Sequence, residues 1–316
     1  MISLRYHVVS IAAFFLALAV GVVLGSTTVS DRLLAGVSSS RDELGRQVSD
    51  LQTGGNALRA QVADGNAFAL TVGPRAVRGV LAGRSVVVVT TADAAPADRD
   101  ALIVLLGAAG ATVTGELQLT DAFSDPFRAD QLSELTARLL PAGVQLPAAT
   151  DAGTQAGALL GALLLLNLHN GQPQATPLET ASALAGLRDG GFLRYDRPIQ
   201  PGQLAAVLTG NAARGEANGG NGADRAAVVA RFATQLDRSG TGTVLAGGPG
   251  SAAGTGPIGV VRADIAAASI LSTVDDAGTA AGRVVAVLAL AEQGQGRAGQ
   301  YGTAGNAQSA APPSGG

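Results

Sequence analysis

Residues 85–91 read SVVVVTT, an apolar run without the alternation of a strand that faces water on one side. A run of this kind is typical of a strand buried on both faces, as in a parallel sheet covered by helices. Similar short runs alternate with helical segments as far as residue 292. The sequence therefore predicts an α/β fold with a mainly parallel, Rossmann-like sheet and helices on both faces.

The boundaries of the elements follow from apolar periodicity and from the positions of glycine and proline. Strands are predicted at residues 85–91, 112–119, 191–195, 204–209, 243–247 and 270–274. Helices are predicted at residues 98–109, 128–140, 154–167, 178–188, 224–238 and 279–292. Glycine-rich loops are expected at 210–222 and 247–257. We expect one α/β domain over residues 67–293.

Three carboxylates follow predicted strands and are candidates for a ligand crevice. Asp93 follows the first strand, and Asp275 and Asp276 follow the last. Open α/β sheets bind ligands at the carboxyl ends of their strands. The alternative is that an Asp before a helix caps it or complements its dipole. No cofactor is expected, because Pro249 and the glycine spacing around it do not fit a dinucleotide loop.

The segment 29–66 has a different periodicity, with apolar residues at alternating spacings of three and four. Its seam consists of Leu34, Val37, Leu44, Val48, Leu51, Leu58 and Val62, with Arg41 and Gly55 as imperfect positions. This heptad pattern predicts a coiled-coil stalk that self-associates or binds a protein partner. The alternative is an amphipathic helix that folds back on its own domain. Gly54 and Gly55 are the weakest point of the helix.

Residues 8–24 read VVSIAAFFLALAVGVVL, an apolar run that Arg5 precedes. At about 1.5 Å per helical residue the run spans roughly 26 Å, close to the ~30 Å hydrocarbon core of a bilayer. We predict one transmembrane anchor over residues 1–28. A cleavable signal peptide is the alternative, although its apolar core is usually shorter. The later apolar run at 156–168 contains glycine and asparagine, so it is expected to be a buried core helix.

The charges that flank the anchor predict its orientation. Arg5 and the α-amino group lie on one side, and Asp31 and Arg32 follow on the other. The positive-inside rule places the amino terminus in the cytoplasm. The predicted location is therefore the cell membrane, with a single pass and the main domain outside the cytoplasm. The last segment, 294–316, has almost no large apolar residue and is predicted to be disordered.

The composition excludes several kinds of chemistry. The chain has no Cys, no Lys and a single Met, and its only histidines are His7 and His169. Thiol catalysis, Schiff bases and a P-loop lysine are therefore excluded, and no nucleophile, base and orienting group can be assembled. The protein is not expected to be an enzyme. A net charge of −3 gives no reason to expect nucleic acid as a partner. His169 is interpreted as a partner of a helix C-terminal dipole.

Motifs at both ends of the chain carry a family resemblance. MISLRYH at 1–7 runs directly into the apolar stretch, which Gly25-Ser26 ends. Near the other end, STVDD at 272–276 is followed by Thr279, Gly282-Arg283, VLAL at 287–290 and QYG at 300–302. With these motifs the chain resembles the mycobacterial copper transport protein B family of actinobacterial envelopes. The resemblance implies a single-pass envelope protein with a role in copper efflux or tolerance. It also implies that some relatives act in cell separation and control of peptidoglycan hydrolases.

Two functional hypotheses follow. In the first, the protein serves copper homeostasis without a direct high-affinity copper site, because Cu(I) prefers Cys and Met and Cu(II) prefers His. Beyond the anchor the chain offers His169 alone among these ligands. In the second, it is a non-catalytic envelope scaffold whose coiled coil binds a partner that controls cell separation or peptidoglycan hydrolysis.

Overall fold

The computed structural model describes residues 4–148, 151–210 and 221–313. Within the first helix it describes the side chains of residues 6–24, 41 and 43 onward. The chain divides into two compact units, Met1–Asp64 and Gly65–Gly316.

The first unit is helical throughout its described part. Helix α1 has the bounds Leu4–Ala76, so its last turns belong to the second unit. Tyr6–Leu24 is a 19-residue stretch with a mean hydropathy of 2.5, long and apolar enough to cross a membrane. Its side chains are exposed. The helical backbone continues past the predicted end of the stalk at residue 66.

The second unit contains a seven-stranded sheet. Its strands are β1 (Ser85–Thr90), β2 (Thr112–Leu119), β3 (Leu193–Arg194), β4 (Leu204–Thr209), β5 (Gly242–Gly247), β6 (Ser272–Val274) and β7 (Gln300–Tyr301). They lie in the order β3-β2-β1-β4-β5-β6-β7. Every neighbouring pair is parallel except β2 and β3, which are antiparallel. The predicted mainly parallel sheet is confirmed, and the edge strand predicted at 191–195 is the two-residue β3, which is antiparallel to β2.

Helices cover both faces of this sheet. They are α2 (Pro96–Ala108), α3 (Ala129–Arg138), α4 (Ala152–Leu164), α5 (Pro177–Asp189), α6 (Gly222–Ser239), α7 (Pro257–Ala263), α8 (Ile265–Ala268) and α9 (Ala280–Gln293). Alternate residues of the strands enter two separate apolar cores. Val87 and Val89 belong to one core with α3 to α7, whereas Val86 and Val88 belong to the other with α2 and α9. This two-sided burial explains the continuous apolar run of β1.

Helix α4 is the later apolar run, and it is a buried core helix as predicted. Gly153, Gly157 and Gly161 lie one turn apart on the side that faces α6. A Cβ on Gly153 would lie 2.5 Å from the carbonyl oxygen of Val228, and one on Gly161 would lie 2.4 Å from Ser239. These glycines therefore let α4 and α6 approach each other closely.

The structure differs from the sequence prediction at the carboxyl terminus. The prediction of disorder over 294–316 does not hold for residues 294–313, because β7 pairs in parallel with β6. Gln300 and Tyr301 are buried there. The prediction considered the apolar content of the segment alone, whereas buried hydrogen bonds to distant residues order it. Helices α7 and α8 were also not predicted, since glycine and alanine dominate their surroundings.

Candidate functional site

The apolar seam of the predicted stalk is exposed to solvent in the first unit. Its described members have side chains that are between 52% and 76% exposed: Leu44, Val48, Leu51, Leu58 and Val62. Leu34 and Val37 lie outside the described side chains. Contiguous apolar side chains on a surface mark sites of protein or membrane interaction. The seam is thus available to a second helix, and its pairing in a coiled coil stays a prediction.

Asp93 lies at the place where the sheet predicts a ligand crevice. It follows β1, is exposed, and accepts a hydrogen bond from the hydroxyl of Thr91. It lines a cavity of about 510 Å³ at the carboxyl ends of β1 and β4. These neighbouring strands continue to opposite sides of the sheet, so the cavity lies at a topological switch point.

Asp275 is a buried structural carboxylate. Its Oδ2 accepts a hydrogen bond from Arg262 Nη1 at 2.7 Å, and both side chains are only 3% exposed. Its Oδ1 accepts hydrogen bonds from the backbone N–H groups of Thr303 at 2.8 Å and Ala304 at 3.2 Å. Both oxygens are therefore already used within the chain.

Arg262, on α7, joins β6 to the carboxy-terminal segment. Its guanidinium also donates to Thr273 Oγ1 at 2.9 Å, to Asn306 Oδ1 at 2.9 Å and to the carbonyl oxygen of Tyr301 at 2.7 Å. A buried guanidinium is tolerated because its donors find acceptors in this way. We call Arg262, Asp275 and residues 300–304 the carboxy-terminal clasp.

The QYG motif consists of three residues of the clasp, and each of them makes a contact that explains its residue type. Gln300 Nε2 donates to the carbonyl oxygen of Ala268 at 2.8 Å. The hydroxyl of Tyr301 donates to the carboxylate of Glu292, and burial together with this contact raises the pKa of Tyr301. Gly302 has a φ of 132°, and a Cβ on it would lie 2.3 Å from the Asp275 carboxylate. Only glycine fits this position.

Asp276 lies just before α9. Burial, and then the charge of Asp275, raise its pKa, and its Oδ1 has no hydrogen-bond partner among the described residues. The N-cap of α9 is Thr279, whose Oγ1 accepts a hydrogen bond from the N–H of Gly282 at 2.9 Å. A Cβ on Gly282 would lie 2.1 Å from the carbonyl oxygen of Asp276. This close approach explains the glycine of the Gly282-Arg283 motif.

Arg283 pairs with the first turn of α2. Its Nη1 lies 2.7 Å from Asp98 Oδ1 and 3.1 Å from the carbonyl oxygen of Ala277. Burial raises the pKa of Asp98, while the charge of Arg283 acts in the opposite direction. The Arg283 side chain therefore fixes α9 to α2.

The predicted crevice residues do not share one cavity. Asp93 lines the switch-point cavity, whereas Asp275 lines a separate cavity of about 360 Å³ beside Thr303 and Asn306. In the described ranges, no three His, Cys, Asp or Glu side chains are grouped so that they could hold a metal ion. His169 is exposed in a turn that follows the end of α4 at Leu164, and its interaction with the dipole of that helix stays a prediction.

Two polar residues were missed by sequence reasoning. Arg262 is the single charged residue in the segment PIGVVRA of α7, which is a usable signal for a buried ion pair. Thr209 ends the buried β4 and lines the switch-point cavity, but nothing in the sequence distinguishes it from other threonines at strand ends.

Comparisons with known proteins identify the family. The family model described as "Copper transport outer membrane protein, MctB" matches residues 1–312. The copper transporters MctB of Mycobacterium tuberculosis and Mycobacterium bovis are each 41% identical over 315 residues, which cover 98% of both chains. The copper transporter MctB of Mycobacterium leprae is 40% identical over 321 residues, covering 99% of this chain and all of the relative. The protein therefore belongs to the MctB family of copper transport proteins.

Proposed function

We propose that this protein serves copper homeostasis as a single-pass envelope protein that works by protein contact and has no high-affinity copper site of its own. The copper role is that of its MctB relatives. The observation that carries the contact mechanism is the exposed apolar seam of α1.

The ligand chemistry of the chain supports an indirect role. Cu(I) selects thiolate and thioether ligands, and Cu(II) selects imidazole. The sequence contains no Cys, and its soft or imidazole ligands are Met1, His7 and His169. His7 lies in the apolar stretch Tyr6–Leu24, and His169 lies in an exposed turn of the second unit. Copper would therefore find single ligands and not a chelating set.

The anchor and the flanking charges support the location. Tyr6–Leu24 has the length and hydropathy of a membrane span. With Arg5 on one side of it, the positive-inside rule favours a cytoplasmic amino terminus. The α/β unit then lies outside the cytoplasm, where a copper-related protein of the envelope acts.

The seam supports assembly. A heptad seam on one helix is complemented by a second helix with the same repeat, and another copy of this chain supplies one. Glu43 pairs locally with Arg46 at 2.8 Å, and neither of these charged residues belongs to the seam. A second candidate function, a scaffold whose partner controls cell separation or peptidoglycan hydrolysis, uses the same exposed surface.

A copper titration of the full-length protein in detergent tests the proposal. Cu(I) is titrated in competition with a chelator, and Cu(II) is titrated by calorimetry. We expect no stoichiometric binding in either oxidation state, and the same result for His169→Ala. Tight binding of one equivalent would contradict the proposal, and its loss in His169→Ala would locate the site. A further measurement distinguishes an indirect copper role from the scaffold function. If the protein does not bind copper but cells that lack it are sensitive to copper, the indirect copper role is supported.

A further inference from the structure

The cavity at the switch point has the position and size of a small-molecule site. Its floor includes Thr91 and Thr209 at the ends of β1 and β4, and its walls include Asp121 and the first turns of α6. Open α/β sheets bind ligands at this position. Its volume of about 510 Å³ lies within the range of small-molecule pockets.

Thr209 supplies an unused polar group in this cavity. The residue is 4% exposed and lines the cavity, and no described residue hydrogen bonds to its hydroxyl. Its methyl group faces Gly247, where a Cβ would lie 2.9 Å from Thr209 Cγ2. Buried hydroxyls are normally paired. Among the described residues the Thr209 hydroxyl has no partner, so it is available to a ligand in the cavity.

The start of α6 adds donors to the same cavity. Its N-cap residue, Asn221, makes no side-chain capping bond, and the first helical bond runs from Arg225 N to Asn221 O at 3.1 Å. Among the residues that the structure describes, no side chain caps the preceding N–H groups of the first turn. Asn221, Gly222 and Arg225 all line the cavity. A helix start with free N–H groups favours an anion.

Charged side chains on the wall limit what can bind. Arg225 is held in place by a hydrogen bond from its Nη1 to the carbonyl oxygen of Asp121 at 3.1 Å, with Asp125 Oδ1 at 3.8 Å from its Nη2. Asp93 and Asp121 are exposed at the rim. Their carboxylates accept hydrogen bonds from hydroxyl groups and repel negative charge at the rim.

We infer that this cavity binds a small hydroxylated organic anion of the sugar phosphate class. Its charged group lies against the Thr209 hydroxyl and the first turn of α6, and its hydroxyl groups lie toward Asp93 and Asp121. This binding site is independent of the copper role proposed above.

Calorimetry on the full-length protein in detergent, with ribose 5-phosphate as the probe, tests the inference. We expect saturable binding at one site, weaker binding of inorganic phosphate and no binding of ribose. Thr209→Val is expected to weaken binding about tenfold, because a hydrogen bond to a charged group is lost. Thr209→Ser keeps the hydroxyl and is expected to bind like the wild type.

Matched control variants separate binding in the cavity from general effects of the substitutions. Thr243 has a buried hydroxyl without a partner on β5 and does not line the cavity, so Thr243→Val is expected to leave binding unchanged. On α6, Arg225→Gln is expected to weaken binding, whereas Arg231→Gln, at an exposed position outside the cavity, is not. Absence of saturable binding at millimolar ribose 5-phosphate would overturn the inference. So would wild-type affinity in both Thr209→Val and Arg225→Gln.

Discussion

Apolar side chains are usually buried and charged side chains usually exposed. The amino-terminal helix and the carboxy-terminal clasp depart from this rule in opposite ways. On the helix, apolar residues such as Leu51 and Leu58 are more than half exposed. In the clasp, the charged side chains of Arg262 and Asp275 are almost completely buried. The buried charges find all their partners within the chain, whereas the exposed apolar residues find none in the described structure of their unit. The buried, paired charges of the clasp stabilise the fold, and the exposed apolar residues of the helix are typical of a surface that binds a partner.

This difference assigns a structural role to the motifs near the carboxyl terminus. The STVDD, Gly282-Arg283 and QYG motifs meet in the α/β unit, where Asp275 contacts Gly302 and Thr303. These residues hold the tail and α9 in place. The first aspartate of the STVDD motif, Asp275, is therefore explained by its buried contacts within the chain.

The largest effect is expected from breaking the clasp. Asp275→Ala leaves the Arg262 guanidinium buried without its carboxylate, which costs about 3–5 kcal/mol of unfolding free energy. Urea unfolding followed by circular dichroism measures this loss, and amide hydrogen exchange is expected to increase over residues 299–309.

A double variant provides the control for this prediction. Asp275→Ala combined with Arg262→Leu removes both charges, so it is expected to be less destabilised than Asp275→Ala alone. A single variant within about 1 kcal/mol of the wild type, well below the usual cost of an unpaired buried charge, would show that the clasp does not stabilise the fold.

A second buried carboxylate makes the stability of the α/β unit depend on pH. Asp237, on α6, is buried and accepts a hydrogen bond from the N–H of Thr243 at 2.7 Å. Burial raises its pKa from 3.8 to about 7, against the smaller lowering effects of this hydrogen bond and of Arg238. The folded state therefore binds a proton that the unfolded state has released between these two values.

The resulting stability is fully present below pH 3.8 and is lost as the pH rises through about 7. Asp237→Asn keeps a neutral side chain with an acceptor oxygen. It is expected to be more stable than the wild type by up to about 4 kcal/mol at pH 8 and by about 1.5 kcal/mol at pH 5, and to be similar only below pH 3.8. Unfolding at a series of pH values checks this, with the exposed Asp189→Asn as the control. Equal pH dependence of Asp237→Asn and the wild type would contradict the account.

Much of the fold could be predicted from sequence because its strands are buried on both faces. The bounds of β2 and β4 were predicted to the residue, and those of β1 and β5 within one residue. β3 was predicted at 191–195 and has the bounds Leu193–Arg194, whereas β7, with two residues, is too short for a periodic signal. β7 in particular depends on contacts of Tyr301 with Arg262, 39 residues earlier in the sequence, and with Glu292 on α9.

The candidate sites were predictable in part. Placing Asp93 at the carboxyl end of a strand required only the strand itself. The burial of Asp275 depends on the tail, which the sequence predicted to be disordered. The contribution of Thr209 to the cavity depends on the residues that surround it in the folded chain, and composition gives no information about those residues. The seam of α1 could be recognised by its spacing, although one chain cannot show its partner.

Changes in the seam are expected to have the smallest effect on folding. Leu44 and Leu51 are exposed, so replacing both by Asp should alter the unfolding free energy of the α/β unit by less than about 0.5 kcal/mol. The same change places charges in the seam and should prevent helix pairing. Ser49→Asp with Thr53→Asp adds the same charge away from the seam and serves as the matched control.

The mass of the full-length protein in detergent, measured by analytical ultracentrifugation, tests the contact mechanism most directly. We predict an oligomer for the wild type and for the Ser49→Asp/Thr53→Asp control, and a monomer for Leu44→Asp/Leu51→Asp. A monomeric wild type, or an unchanged oligomer in the Leu44→Asp/Leu51→Asp variant, would contradict self-association through the seam.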